Sequence, residues 1–274
     1  VKFKSLICDR VAGEGIRLME ERGYEVTKAW NLPKTELPTI VSEYDALIVR
    51  SATKVNADLI ANAKKLKVIG RAGEGLDNID LAKAREMGIA VVNAPHVSFM
   101  SVAELTIAHL LALAKGVVEG TLTLREGKWA KEELTGVEIN GKTLGIIGCG
   151  HIGKTVERLA MALGMKVLAV EECVYDRFIP LDEMLPEADF ITVHVPLTPQ
   201  NRHIVSTREF NMMKNGVMII DCSRGGVVDQ EALYQALVSG KVKAAAIDVF
   251  EEEPPKNNKL LTLKNVYATP HIGA

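Results

Sequence analysis

Short apolar runs recur along this chain, separated by stretches whose apolar positions return every three or four residues. Leu6–Cys8, Glu25–Thr27, Ala46–Val49, Lys67–Gly70 and Ile89–Val92 read as strands. Gly15–Arg22, Leu37–Ser42, Asn56–Ala63 and Ile79–Met87 carry helical spacing, and Gly23 and Gly88 stop the first and last of these. Brief strands alternating with helices predict a parallel sheet covered on both faces, in a unit ending near Pro95. A long apolar helix, Ser101–Lys115, opens a second unit. Its strands are expected at Thr143–Ile147, Lys166–Val170, Phe190–His194, Val217–Ile220, Ala244–Ile247 and Val266–Tyr267. Helical stretches follow at Lys154–Leu163, Leu181–Leu185, Ser206–Met213 and Gln230–Val238, and the crossover from Glu172 to Phe190 is short for such a fold.

The second unit's first strand runs into Gly148-Cys149-Gly150-His151-Ile152-Gly153, the G-x-G-x-x-G spacing. In a strand–turn–helix setting, Gly148 permits the turn and Gly150 lets a pyrophosphate approach the backbone. Gly153 lets helix and strand pack closely, and the helix's free amides face the diphosphate. The next strand ends in Glu171, about 20 residues beyond the glycines, where an acid meets ribose hydroxyls and repels a 2'-phosphate. This predicts NAD over NADP. The expected fold class is therefore α/β, with two Rossmann-like doubly wound parallel-sheet domains. Residues 1–95 would bind substrate and 96–270 NAD, with 271–274 free to return to the first domain.

Ligands of such sheets gather at the carboxyl ends of strands, so two facing sets of strand ends predict an active site in an interdomain cleft. The first set offers Arg50-Ser51 and Arg71-Ala-Gly-Glu-Gly75, with arginines and glycine amides suited to a small carboxylate. In the second set, Arg224 follows an apolar strand and precedes two glycines, a position from which a guanidinium can grip a 2-keto acid. His271 ends the last strand, and an imidazole is a natural general acid near neutral pH. A carboxylate beside it would keep it protonated, but spacing does not select one from Glu251-Glu252-Glu253, which reads by default as a solvated face. His96, His109, His194 and His203 read as hydrogen-bonded histidines without a carboxylate or metal partner.

The composition, 47% hydrophobic and 25% charged, is that of a globular protein, and the net charge of −2 argues against nucleic acid or anionic lipid as partners. The longest apolar stretch, Leu105–Val118, is interrupted by His109 and Lys115, so no membrane span is expected, and the first residues read as a strand rather than a signal peptide. Cys8, Cys149, Cys173 and Cys222 lack C-x-x-C spacing; reduced thiols, no metal site and a cytoplasmic location are expected, with Cys149 and Cys222 as small apolar fillers.

Several segments in order resemble the D-isomer-specific 2-hydroxyacid dehydrogenase family across nearly the whole chain. They are Arg71–Asp80, Ser101–Leu105, Gly141–Gly148, His194–Thr198, Ser223–Asp229, Asp248–Phe250 with Glu253-Pro254, and Pro270–Gly273. The resemblance implies that Arg224 binds the substrate carboxylate and carbonyl, that Glu253 pairs with His271, and that His271 shuttles the proton. It adds Asp248 on the nicotinamide carboxamide, Cys222 and Ser223 on the nicotinamide side, His151 and Ile152 on the diphosphate and Val195 on the adenosine side. Glu74 and Gly273 join this cofactor set, and Arg50, Ser51, Arg71, Gly73 and Gly75 would bind the substrate's acid groups. Two arginines suit a substrate with both carboxylate and phosphate, which points to 3-phosphoglycerate and 3-phosphohydroxypyruvate, the entry to serine synthesis. Alternatives are a glyoxylate or hydroxypyruvate reductase and an NAD-sensing corepressor-like binding protein. A homodimer or higher homo-oligomer, built on the helix from Ser101 and the stretch to Trp129, is also implied. Two departures stand out: Glu74 in a loop where small or apolar residues are usual, and Glu171 where Asp is commoner.

Overall fold

The computed structural model describes residues 2–95, 97–170 and 179–274. It divides into two compact units, Val1–Ser98 and Phe99–Ala274, the second holding residues 271–274.

In the first unit β1 (Lys4–Ile7), α1 (Gly13–Glu21), β2 (Glu25–Lys28), α2 (Leu37–Ile40) and β3 (Ala46–Val49) are followed by α3 (Ala57–Asn62), β4 (Val68–Arg71), α4 (Leu81–Glu86) and β5 (Ala90–Asn93). The sheet is parallel in the order β2-β1-β3-β4-β5. Leu6, Leu47, Val49 and Ile69 are buried beneath Leu59 and Ile60 of α3. Helices α3 and α4 start a residue or two inside the predicted spans because Asn56 and Asp80 act as caps. Their side chains accept the amides of Leu59 and Lys83, both at 2.9 Å. The strand order reverses between β1 and β3, which opens a crevice at their carboxyl ends.

The second unit begins with α5 (Phe99–Lys115) and α6 (Val117–Arg125). Gly116, at φ 63°, breaks them apart with a bend of 62°. Next come β6 (Thr143–Ile147), α7 (His151–Ala162), β7 (Lys166–Val170), α8 (Leu181–Met184) and β8 (Phe190–Val193). The chain continues through α9 (Thr207–Met212), β9 (Val217–Asp221), α10 (Gln230–Val238), β10 (Val242–Ile247) and β11 (Val266–Ala268). All strands are parallel, in the order β11-β10-β9-β8-β6-β7. One apolar core joins the sheet to α5 and α7, the other joins its opposite face to α8, α9 and α10. Strands buried on both faces read as continuous apolar runs, which is why they were legible. Among the described residues no single helix is long and apolar enough to cross a membrane. Part of the short crossover falls on residues outside the described ones; within it, α8 is a single turn.

Candidate active site

The glycine turn sits between β6 and α7, and its three glycines meet three different surroundings. Gly148 has φ 93°, and a Cβ there would lie 2.5 Å from Val195 Cγ1 and 2.8 Å from the His194 carbonyl oxygen. At Gly153 a Cβ would fall on the Gly148 carbonyl oxygen. Gly150 faces open space, with nothing within 4 Å of a Cβ built on it. The first and third positions are thus closed by protein and the middle one is open, the arrangement a pyrophosphate pressed on the backbone requires. Helix α7 starts from Gly150 with no side-chain cap, which suits an anion at its N-terminus. His151 and Ile152 form its first turn, and the His151 ring lies 6.1 Å from that of Phe99. A dinucleotide fits these residues. Glu171, expected to meet the ribose, lies outside the described residues.

The ends of β9, β10 and β11 bring Arg224, Glu253 and His271 together. His271 Nδ1 lies 2.8 Å from Glu253 Oε2, and Glu253 Oε1 accepts the Phe250 amide at 3.1 Å. The Glu253 hydrogen bond raises the His271 pKa above the ordinary imidazole value, against a smaller opposing effect of burial. Burial alone would raise Glu253. The bonds from His271 and the Phe250 amide, with the His271 and Arg224 charges, bring it below the usual carboxylate value. Arg224 donates to its neighbour's carbonyl, that of Ser223, at 2.8 Å, and its charge is felt by both members of the pair. A Cβ at Gly225 would fall on the Phe250 carbonyl oxygen. Only glycine therefore lets the Arg224 loop close against the segment leading to Glu253.

Beneath this group lies a buried polar layer. Asp221 accepts the Ser223 amide at 2.9 Å and hydroxyl at 2.6 Å, and burial pushes its pKa up to about 6 despite those bonds. Cys222 is buried, and burial raises its thiol pKa. Asp248, 1% exposed, accepts the Thr269 hydroxyl and the amides of Ile272 and Gly273.

In the first unit the loops after β3 and β4 carry Arg50, Ser51, Arg71, Gly73, Glu74 and Gly75. Val49 and Arg71 are paired across the sheet, so the two arginines leave neighbouring strands. Asp9 accepts the Arg50 amide at 2.7 Å and the Thr53 amide at 3.1 Å on Oδ2. Its Oδ1 takes the Thr53 hydroxyl at 2.7 Å and Lys34 Nζ at 2.9 Å. Asn78 donates to the Arg50 and Thr53 carbonyls, each at 2.7 Å. The loop of Gly73 and Glu74 is held by Asn93, which donates to the Glu74 carbonyl at 2.7 Å, and by the Ala94 amide on the Gly73 carbonyl. Asp9, Lys34, Asn78 and Thr269 all escaped the sequence reading. The one signal for Asp9 was its place directly beyond a buried strand.

Three expectations need correction. Cys149 is disulfide-bonded, not a reduced filler. His203 does have carboxylate partners: Nε2 lies 3.2 Å from Glu251 and Nδ1 3.7 Å from Asp229. Glu251 is thereby tied to a neighbouring loop rather than only solvated. His109, by contrast, is hydrogen-bonded as expected: it lies on α5 with Nε2 3.1 Å from Thr269 Oγ1. Among the described residues no group of three or more His, Cys, Asp or Glu is placed to hold a metal ion.

Two parallel sheets with helices on both faces, one carrying a glycine turn open to a pyrophosphate, define a Rossmann-type dinucleotide-binding protein. The chain belongs to the D-isomer specific 2-hydroxyacid dehydrogenase family, whose NAD binding domain matches residues 107–273. It is 48% identical to a D-3-phosphoglycerate dehydrogenase of Methanocaldococcus jannaschii, over 99% of this chain and 53% of that protein. It is 51% identical to a hydroxypyruvate reductase of Thermotoga maritima, over 94% of this chain and 86% of that one. The solved structure of the TT0316 protein from Thermus thermophilus superposes with a TM-score of 0.92 at 38% identity, covering 99% of this chain and 90% of that one. The chain thus spans about half the length of the phosphoglycerate dehydrogenase it matches and most of the reductase.

Proposed function

We propose that this chain is the catalytic part of an NAD-dependent oxidoreductase that interconverts a D-2-hydroxy acid and its 2-keto acid. The observation that carries this reading is the 2.8 Å contact between His271 and Glu253 beside Arg224. Residues 1–95 would hold the substrate's acid groups through Arg50, Ser51, Arg71 and the amides near Gly73 and Gly75. Residues 96–270 would hold NAD through Gly148, Gly150, His151, Ile152, Gly153, Val195, Cys222, Ser223 and Asp248. Glu171 supports NAD over NADP by sequence alone, and tight NADPH with weak NADH binding in a fluorescence titration would refute that preference.

When bound, the dinucleotide would supply a hydride to the keto carbon in its reduced form, NADH, and would accept one in the reverse direction in its oxidised form, NAD. The chain's own residues do the rest. The Arg224 guanidinium orients the substrate carboxylate and draws electron density toward the carbonyl oxygen. His271 directs Nδ1 to Glu253, which leaves Nε2 to give its proton to that oxygen as the carbon–oxygen double bond becomes single. Glu253 holds the ring in place and keeps it charged to higher pH. His271→Ala should lower turnover at least about 100-fold; unchanged turnover would remove His271 from the mechanism.

The preferred pair is 3-phosphoglycerate and 3-phosphohydroxypyruvate, supported by two arginines on neighbouring strands, Arg50 and Arg71, and by the M. jannaschii relative. Such an enzyme would work in the cytoplasm, at the start of serine synthesis, as a homodimer or higher homo-oligomer. Exposed Val117, Leu122, Leu124 and Trp129 on and after α6 support an assembly surface there. A second reading, hydroxypyruvate reductase, is supported by the 51% identity to the T. maritima relative. Steady-state rates with 3-phosphohydroxypyruvate and with hydroxypyruvate separate the two, and preference for the unphosphorylated acid would select the second. Turnover of either acid would set aside a purely NAD-sensing role.

A further inference from the structure

His271 adopts φ 53°, a left-handed conformation that costs a non-glycine residue free energy and persists only when its surroundings enforce it. The hydrogen bonds on either side of it show the enforcement. Asp248 Oδ1 accepts the Thr269 hydroxyl at 2.6 Å and the Ile272 amide at 2.9 Å, while Oδ2 accepts the Gly273 amide at 2.9 Å. One buried carboxylate therefore clasps the chain before and after the histidine.

The clasp continues into α5. Thr269 Oγ1 lies 3.1 Å from His109 Nε2. A hydroxyl carries a single proton, and Thr269 gives it to Asp248, so toward His109 it can only accept. His109 must then present Nε2–H. Burial drives the His109 pKa down, which keeps the ring neutral and makes this its working tautomer. The same helix meets the loop a second time: a Cβ at Gly273 would lie 3.4 Å from Val102 and 3.6 Å from Leu105. Residues 102, 105 and 109 share one helix face. That face is a platform under the whole turn.

We propose that His109 and Thr269 are positioning residues, which orient the Asp248 carboxylate and through it the left-handed turn that seats His271 on Glu253. The inference rests on the reading of His271 as the proton donor and deepens it.

Two pairs of variants test it. Thr269→Val removes the hydroxyl and Thr269→Ser retains it; His109→Leu removes the donor and His109→Gln keeps an N–H. The first readout is the titration of the His271 ring by NMR in the protein without dinucleotide. Glu253, Arg224 and Asp248, the charged groups that act on this ring, are untouched in all four variants. In Thr269→Val and His109→Leu the raised midpoint should fall toward that of a free imidazole. In Thr269→Ser and His109→Gln it should stay near the parent value. The second readout is steady-state turnover. The two disabling changes should lower kcat about 10-fold, while Thr269→Ser and His109→Gln keep it near the parent value.

A parent-like titration in Thr269→Val, or equal damage in Thr269→Ser and Thr269→Val, would overturn the proposal. If Thr269→Val does not fold, the His109 pair decides by the same criteria. Absence of any 2-keto acid turnover in the parent would defeat the functional reading, while the titrations would still judge the clasp.

Discussion

Asp9 in the first unit and Asp248 in the second hold the same kind of position. Each follows a buried parallel strand closely and clasps the loop leaving the neighbouring strand. Asp9, beyond β1, holds the Arg50–Thr53 loop after β3; Asp248, beyond β10, holds the Thr269–Gly273 loop after β11. Their partners differ. Asp9 is met by a cation, Lys34, as well as by amides and a hydroxyl. Asp248 is met by a hydroxyl and two amides, all uncharged. The ion pair adds a Coulomb attraction that falls only gradually with distance. It suits a loop whose proposed task is to hold an arginine for a substrate's acid groups. A clasp made by uncharged donors depends on hydrogen-bond direction, which suits a loop that must aim one imidazole ring. Both arrangements solve the problem of burying a carboxylate, which requires that its oxygens be paired.

The comparison breaks first at Asp9. Asp9→Asn removes the anion from a pair whose carboxylate is buried and whose lysine is exposed, and sets an amide group against a cluster of donors. The loss should be about 2 kcal/mol of first-unit stability, read as a lower denaturant midpoint, with a raised KM for the keto acid and little change in kcat. A lowered kcat at unchanged KM would show that the two clasps are not specialised as described. Burial opposes ionisation of Asp9, but the Lys34 and Thr53 hydrogen bonds outweigh it and hold its pKa below the ordinary value. Its contribution to stability is thus present above the unfolded carboxylate pKa and fades as pH falls through the lower folded one. The stability gap between the parent and Asp9→Asn should therefore close in acid, and a gap constant with pH would exclude the ionic part of the clasp.

Glu253→Gln probes the other side. It keeps a hydrogen-bonding group beside His271 and deletes the charge. Turnover in the reductive direction should fall about 10-fold. The His271 pKa is raised in the parent, so its proton is held to higher pH, and reduction is lost as pH rises through that value. In Glu253→Gln this alkaline limb should move to lower pH; an unmoved limb would assign it to another group. The smallest effect is expected at Asn78. Asn78→Ala removes two hydrogen bonds to the Arg50 and Thr53 carbonyls. It should cost about 1 kcal/mol, seen as a small shift in the denaturant midpoint, with Asp9 still holding the amides.

Much of this protein could be read from local order in the chain. Strands buried on both faces are apolar runs, and capped helices carry their start signals in Asn56 and Asp80, so the element order and parallel sheets were visible. The glycine turn was equally plain, because the tight turn, the open face at Gly150 and the close packing at Gly153 all fall within six consecutive residues. The separate helix α6 was less so, since the apolar pattern runs on past the bend at Gly116.

The acid–base pair was legible only in part. His271 stood out at a strand end, but Glu253 was one of three adjacent glutamates, and chain spacing gives no means of choosing among them. Folding chooses: Glu253 turns inward to the Phe250 amide and His271, while Glu251 reaches His203. The clasps were not legible at all. His109 and Thr269 are 160 residues apart, and Asp9 and Thr53 are 44. A hydrogen bond over such distances exists only because the fold sets a strand end beside a neighbouring strand end, as for Asp9, or beside a helix packed on the sheet, as for Thr269. Periodicity determines that a segment is a buried strand; which neighbour it takes, and hence which carboxylate finds which amide, is decided by packing the whole sheet.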